Sequence, residues 1–336
     1  MPLPATPSAS VAQPPRSLRT PRTHRLARLL GASLLGAGLL AGCQSTPPVP
    51  APVSPPVLAP PAPVVVKPPP RPPKVALALG GGAARGFAHV GVIKALEAQG
   101  IVADIVVGTS AGSLVGALYA GGLNGFELQR LALQMDEAAI ADWASPLASR
   151  GLLKGEALQN YVNAALRQRP IEALPRKFAA VATDLASGSL VAFERGNTGM
   201  AVRASSAVPG VFMPVPIAGR EYVDGGLVSP VPARTARRLG ADVVIAVDIS
   251  AKPDFQPTSS TTEVLMQTFS IMGQSIAQWE LGEADVVIRP ALAATRSTDF
   301  AARHLSILEG ETAAAAQLPA VAAAIARAKA RIAAQP

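Results

Sequence analysis

The chain reads as an α/β protein, with a mainly parallel central sheet covered by helices on both faces. Two observations predict this. From Lys74 onward, short apolar runs alternate with longer stretches that keep their apolar residues on one face, the pattern of strand–helix units that build parallel sheets. Two of the strand-to-helix junctions are also glycine-rich, as expected where a backbone must turn sharply off a sheet edge.

Taken in order, residues 75–79 are a strand, 80–82 a glycine loop and 84–99 a helix. Residues 105–107 form a buried strand and 113–120 a helix. Helices follow at 126–139 and 155–168, strands at 178–183 and 190–193, and a short helix at 200–207. Tyr222-Val223-Asp224 ends a short strand, and 243–247 is another buried one. Residues 263–283 and 312–334 are helical, around a strand at 286–288. Alanine richness favours the last helix, while Pro319 predicts a break or kink in it. No internal repeat is present.

Residues 1–73 lie outside this fold. They hold 20 of the 33 prolines, a composition that builds no core. Arg16, Arg19, Arg22, Arg25 and Arg28 precede an apolar run from Leu29 to Leu40. A basic start followed by a short apolar run is an export signal, too short for a spanning helix of ~20 residues. Its end, Leu40-Ala41-Gly42-Cys43, resembles the lipobox of bacterial lipoproteins. That resemblance implies cleavage after residue 42, lipid on Cys43 and a place in the cell envelope, with Gln44 implying the outer membrane of a Gram-negative cell. Cys43 is the only cysteine, so no intramolecular disulfide forms. Residues 43–73 then read as a lipidated cysteine and a Pro-rich tether, reaching up to ~90 Å if extended as polyproline II. The folded domain is 74–336. Without residues 1–42 the net charge drops from +8 to +3, and no basic stripe points to nucleic acid.

The chemistry gathers in three segments. Gly108-Thr109-Ser110-Ala111-Gly112 sits between an apolar strand and an apolar helix, the setting of a nucleophile elbow. There the serine hydroxyl stands at a helix N-terminus, where a developing oxyanion is favoured. Ser110 is the candidate nucleophile. Gly80-Gly81-Gly82-Ala83-Ala84-Arg85-Gly86 also follows a strand and opens a helix, so its amides can converge on an anion. Its spacing excludes a dinucleotide fingerprint and a P-loop, since Phe87 stands where the latter needs lysine. Asp224-Gly225-Gly226 supplies a carboxylate at a strand end. An ordinary aspartate, of pKa ~3.9, accepts a serine proton poorly, and partial burial would raise its basicity. His304 follows Ser110 and Asp224 in hydrolase order but lies in a helical stretch; His89 reads as a helix-face or core residue. Asp184 and Asp248 end apolar strands and read as turn formers.

Together these segments resemble the bacterial branch of the patatin-like phospholipase family: a G-G-G-x-x-R-G loop at 80–86, G-x-S-x-G at 108–112 and D-G-G at 224–226. Ala204-Ser205-Ser206-Ala207-Val208-Pro209, with Phe212 and Pro214, is similar to the family segment that precedes the aspartate. The resemblance covers about 75–247. It implies a three-layer α/β/α patatin-like fold and a Ser–Asp dyad of Ser110 and Asp224. It implies an oxyanion hole from Gly80, Gly81 and Gly82, with Ala111 as a further donor, and Arg85 and Gly86 supporting the loop. It further implies a serine acyl hydrolase acting on phospholipids, lysophospholipids or related esters through an acyl-enzyme, with no metal or cofactor. Ser229 departs from the family, where asparagine is common. Two alternatives stay open: a non-catalytic lipid-binding lipoprotein, and an acyltransferase using the same dyad. The sequence assigns no oligomeric state.

Overall fold

The computed structural model describes residues 69–135, 142, 150–250, 258–293, 295 and 299–335, all within one compact unit spanning Val66–Pro336. The expected signal, Cys43 and most of the tether lie outside the described residues, as do positions 136–139 of the expected third helix.

The first strand, β1 (Val75–Leu79), is wholly buried and alternates its side chains between two cores. Leu77 and Leu79 enter the larger core with α1 (Phe87–Glu97), α2 (Ala111–Ala120) and α8 (Arg303–Ala333). Ala76 and Ala78 face the smaller core with α6 (Ala233–Arg238) and the end of α7 (Thr261–Glu280). The period of two along a strand buried on both faces gives the three layers. Around β1 the sheet grows in both directions. On one side lie β9 (Val243–Val247) and β10 (Val286–Ile288); on the other lie β2 (Ile105–Thr109) and β4 (Lys177–Asp184). These five strands are parallel. Beyond β4 the direction reverses: β5 (Leu190–Phe193) and β8 (Arg220–Asp224) pair with it antiparallel, and β7 (Val215–Ile217) pairs with β8. The sheet is therefore mixed, with a parallel centre, as the sequence predicts.

Three short strands escape the sequence reading. They are β7 and a separate parallel pair, β3 (Gly151–Leu153) with β6 (Gly210–Phe212). At three residues each, they carry no readable period. The remaining helices are α3 (Gly125–Gln134), α4 (Glu156–Ala165) and α5 (Thr198–Ser205).

The final helix differs most from expectation. It begins at Arg303, nine residues before the expected start at 312, and continues past Pro319 without a break. Packing on α1 explains its persistence. At the crossing, a Cβ on Gly91 would lie 1.9 Å from Ile307 O, and one on Gly310 would lie 2.0 Å from Ala88 O. Two glycines thus let the backbones touch, and the buried face outweighs the hydrogen bond that proline removes.

Candidate active site

Ser110 ends the β2 turn with φ 53° and ψ −122°, a strained setting for a residue with a side chain. The flanking glycines make the turn possible by clearing backbone rather than each other's side chains. A Cβ at Gly108 would lie 2.3 Å from Gly112 O, and one at Gly112 would lie 2.1 Å from Leu79 O. The strain is held by hydrogen bonds on both sides. Ser110 N–H donates to Ser205 Oγ at 2.9 Å, and the Ser205 hydroxyl donates to Val181 O at 2.6 Å. Ser113 Oγ donates to Ser110 O at 2.7 Å. The Ser110 side chain is left half-exposed at the mouth of helix α2.

Asp224 reaches the same place from the antiparallel side of the sheet, opposite Ala182 on β4. Its N–H donates to Ala207 O at 2.9 Å, and its carbonyl accepts from the Thr183 hydroxyl at 2.8 Å. Helix α5 and the residues just after it therefore hold both candidate residues: Ser205 takes the elbow amide and Ala207 takes the aspartate amide. Gly226 N–H donates to Asp224 Oδ1 at 2.7 Å. Oδ2 is buried without an ordinary hydrogen bond, yet the Ser110 hydroxyl is near enough to favour the ionised carboxylate. Burial outweighs that help and pushes Asp224 up to about 6 from 3.8. Gly225 is required next to it, since a Cβ there would lie 2.2 Å from Val181 O.

The glycine loop packs directly on the elbow. A Cβ on Gly81 would lie 3.2 Å from Ser110 Cβ, and one on Gly86 would lie 2.7 Å from Ala111 Cβ. The expected set of oxyanion donors needs correction, however. Gly80 N–H already donates to Val247 O and Gly81 N–H to Pro230 O, each at 3.0 Å. Those amides fasten the loop to β9 and to the segment after Asp224, so neither is free for an anion. Among the described residues, the N–H groups of Gly82, Ala83 and Ala111 have no hydrogen-bond partner. Arg85 is buried and folds back on the loop: its backbone N–H lies 3.1 Å and its Nε 3.5 Å from Gly82 O. Burial lowers its pKa, against the opposing field of Asp248.

His89 lies fully buried in α1 with Nε2 2.8 Å from Gly80 O, and burial pushes it down to about 4. As a neutral ring it donates to the loop carbonyl, a bracing role rather than a catalytic one. His304 is exposed on α8 and is not among the groups acting on Asp224, which are Ser110 and Gly226. Asp184 binds the Ser187 amide and hydroxyl, and Asp248 binds the Ser250 amide, as turn formers do. Among the described residues, no group of three or more His, Cys, Asp or Glu is placed to hold a metal.

One residue behind the site had no sequence signal. Glu280, the last residue of α7, is buried; its Oε1 accepts from Ser229 Oγ at 2.6 Å and its Oε2 from Val231 N–H at 3.3 Å. Ser229 O in turn accepts from the Thr109 hydroxyl at 2.7 Å, so a distant glutamate braces the strand carrying the candidate nucleophile. The departure from asparagine at 229 is thus a hydrogen-bonding position of the fold.

Residues 77–237 match the family model for patatin-like phospholipase, and the match contains all three glycine-marked segments. These residues form a patatin-like phospholipase domain. An uncharacterized NTE family protein of Mycobacterium tuberculosis is 39% identical over 179 residues, covering 53% of this chain and 49% of that protein. Human patatin-like phospholipase domain-containing protein 6 is 34% identical over 188 residues, 54% of this chain and 14% of its own length. The chain thus spans about half the length of the mycobacterial relative. Among solved structures, VipD from Legionella pneumophila superposes with a TM-score of 0.52 at 14% identity, covering 74% of this chain and 67% of that one. That likeness concerns the patatin fold alone.

Proposed function

We propose that this chain is a serine acyl hydrolase of membrane lipids or related esters, working through a Ser110–Asp224 dyad. The observation that carries the reading is a buried carboxylate, raised to about 6, beside a half-exposed serine on a strained elbow. Asp224 accepts the Ser110 proton as the hydroxyl oxygen attacks the ester carbonyl. The tetrahedral oxyanion is met by the loop and elbow amides of Gly82, Ala83 and Ala111, which no described residue occupies; loss of one such donor costs about 2.7–4 kcal/mol in comparable sites. The proton passes to the leaving alcohol and an acyl-serine remains. Water, deprotonated by the same aspartate, then releases the fatty acid and restores the serine.

The family match supports a lipid substrate, and the N-terminal sequence supports delivery to the envelope on a lipid-modified Cys43. The test is product analysis by mass spectrometry after the full chain meets vesicles of mixed phospholipids. Free fatty acid in equal amount to lysophospholipid is expected. Acylated acceptor lipids without free acid would instead indicate transfer, and no product at all would leave only a binding protein.

A further inference from the structure

Helix α7 carries a face that the other described residues leave exposed. Between Glu263 and Glu280 it has no charged residue. Five of its large apolar side chains, Val264, Leu265, Ile271, Met272 and Trp279, are 49%, 49%, 51%, 53% and 61% exposed. With 3.6 residues per turn, these five fall in a sector ~120° wide, so they form one stripe. On a helix bathed in water, that sector is where charges belong. Trp279 closes the stripe with the Arg234 guanidinium 4.0 Å over its ring. An aromatic body paired with a cation suits the level of lipid headgroups. The same end of the helix is rooted in the candidate site, because Glu280 holds Ser229 and Val231 just beyond the Asp224 turn.

We propose that α7 docks this domain on the lipid surface that holds its substrate. The stripe lies among the acyl chains and Arg234 lies at the phosphates, which brings the elbow to the bilayer. The inference rests on the lipid-ester reading for the identity of the surface. A second copy fits poorly as the occupant: a stripe of 16 residues is ~24 Å long and ~10 Å wide, far below the ~800 Å² per partner of a stable interface. A helix lying in the interfacial plane needs no more than this. No described helix is long and apolar enough to cross a membrane.

The test uses the full chain carrying Trp143→Phe, which leaves Trp279 as the sole tryptophan. It is mixed with vesicles of phosphatidylcholine and phosphatidylglycerol whose acyl chains are brominated. Quenching of Trp279 by at least twofold is expected. The double variant Ile271→Asp/Met272→Asp should lose that quenching and slow hydrolysis of vesicle lipid at least tenfold, while a water-soluble short-chain ester is hydrolysed at the original rate. An unquenched Trp279, or a double variant that still docks and hydrolyses vesicles normally, overturns the proposal. So does light scattering that finds a dimer converted to monomer by the two aspartates. Quenching without hydrolysis of either substrate supports the docking while overturning the catalytic reading.

Discussion

In the proposed dyad, Asp224 would link catalysis to stability through a single side chain. Its carboxyl titrates near 3.8 when exposed and about 6 when folded, so the native state holds its proton more tightly. The stability this lends is complete below about pH 4 and is lost as pH rises through 6. Above that, the buried charge costs on the order of 3 kcal/mol. Glu280, raised from 4.5 to about 7 by burial, acts in the same direction. Denaturant unfolding should therefore show Asp224→Asn more stable than the native chain at pH 8 and little different at pH 4, with ester hydrolysis lost at both. An equal effect at the two pH values would mean that Asp224 is not titrating as described. Activity should follow the opposite slope to stability, because only ionised Asp224 can accept the serine proton. The rate on a soluble ester is expected to rise tenfold per pH unit below about 6 and level off above it.

Among the elements, α5 and the α1–α8 crossing carry the clearest tests. Ser205→Ala removes the acceptor of the Ser110 amide and should lower kcat by one to two orders of magnitude with little change in KM, since the elbow loosens while the pocket stays. A loss confined to KM would contradict that role. At the crossing, Gly310→Ala should lower the melting temperature even though alanine is the better helix former, a gain of only about 1 kcal/mol. Its Cβ would meet Ala88 O at 2.0 Å, and overpacking of that kind costs about 1–3 kcal/mol or more. The central strands, the elbow and the D-G-G turn were legible because each has a local cause: an apolar run, or glycine where a Cβ meets backbone. Glu280, Ser205 and the committed amides of Gly80 and Gly81 were not, because their roles exist only once distant strands meet. A run such as Gly80-Gly81-Gly82 says that amides are accessible, not which of them the fold has already used. The continuous helix through Pro319 was missed for a related reason, since its support comes from α1 and not from its own residues.

For the whole molecule, we propose a catalytic domain delivered to a membrane by its N-terminus. Cells expressing the chain should incorporate labelled palmitate into it, and Cys43→Ser should abolish incorporation and release the protein from the membrane fraction. Label persisting in that variant would remove the lipoprotein reading and leave the domain untouched. In the proposed mechanism, Asp224 activates Ser110. The most direct measurement is the rate at which a fluorophosphonate probe labels Ser110 as a function of pH, in the native chain and in Asp224→Asn. We expect labelling at Ser110 alone, rising through about pH 6, and slowed at least a hundredfold in the variant. Labelling of Asp224→Asn at the native rate, or attachment of the probe elsewhere, would contradict it.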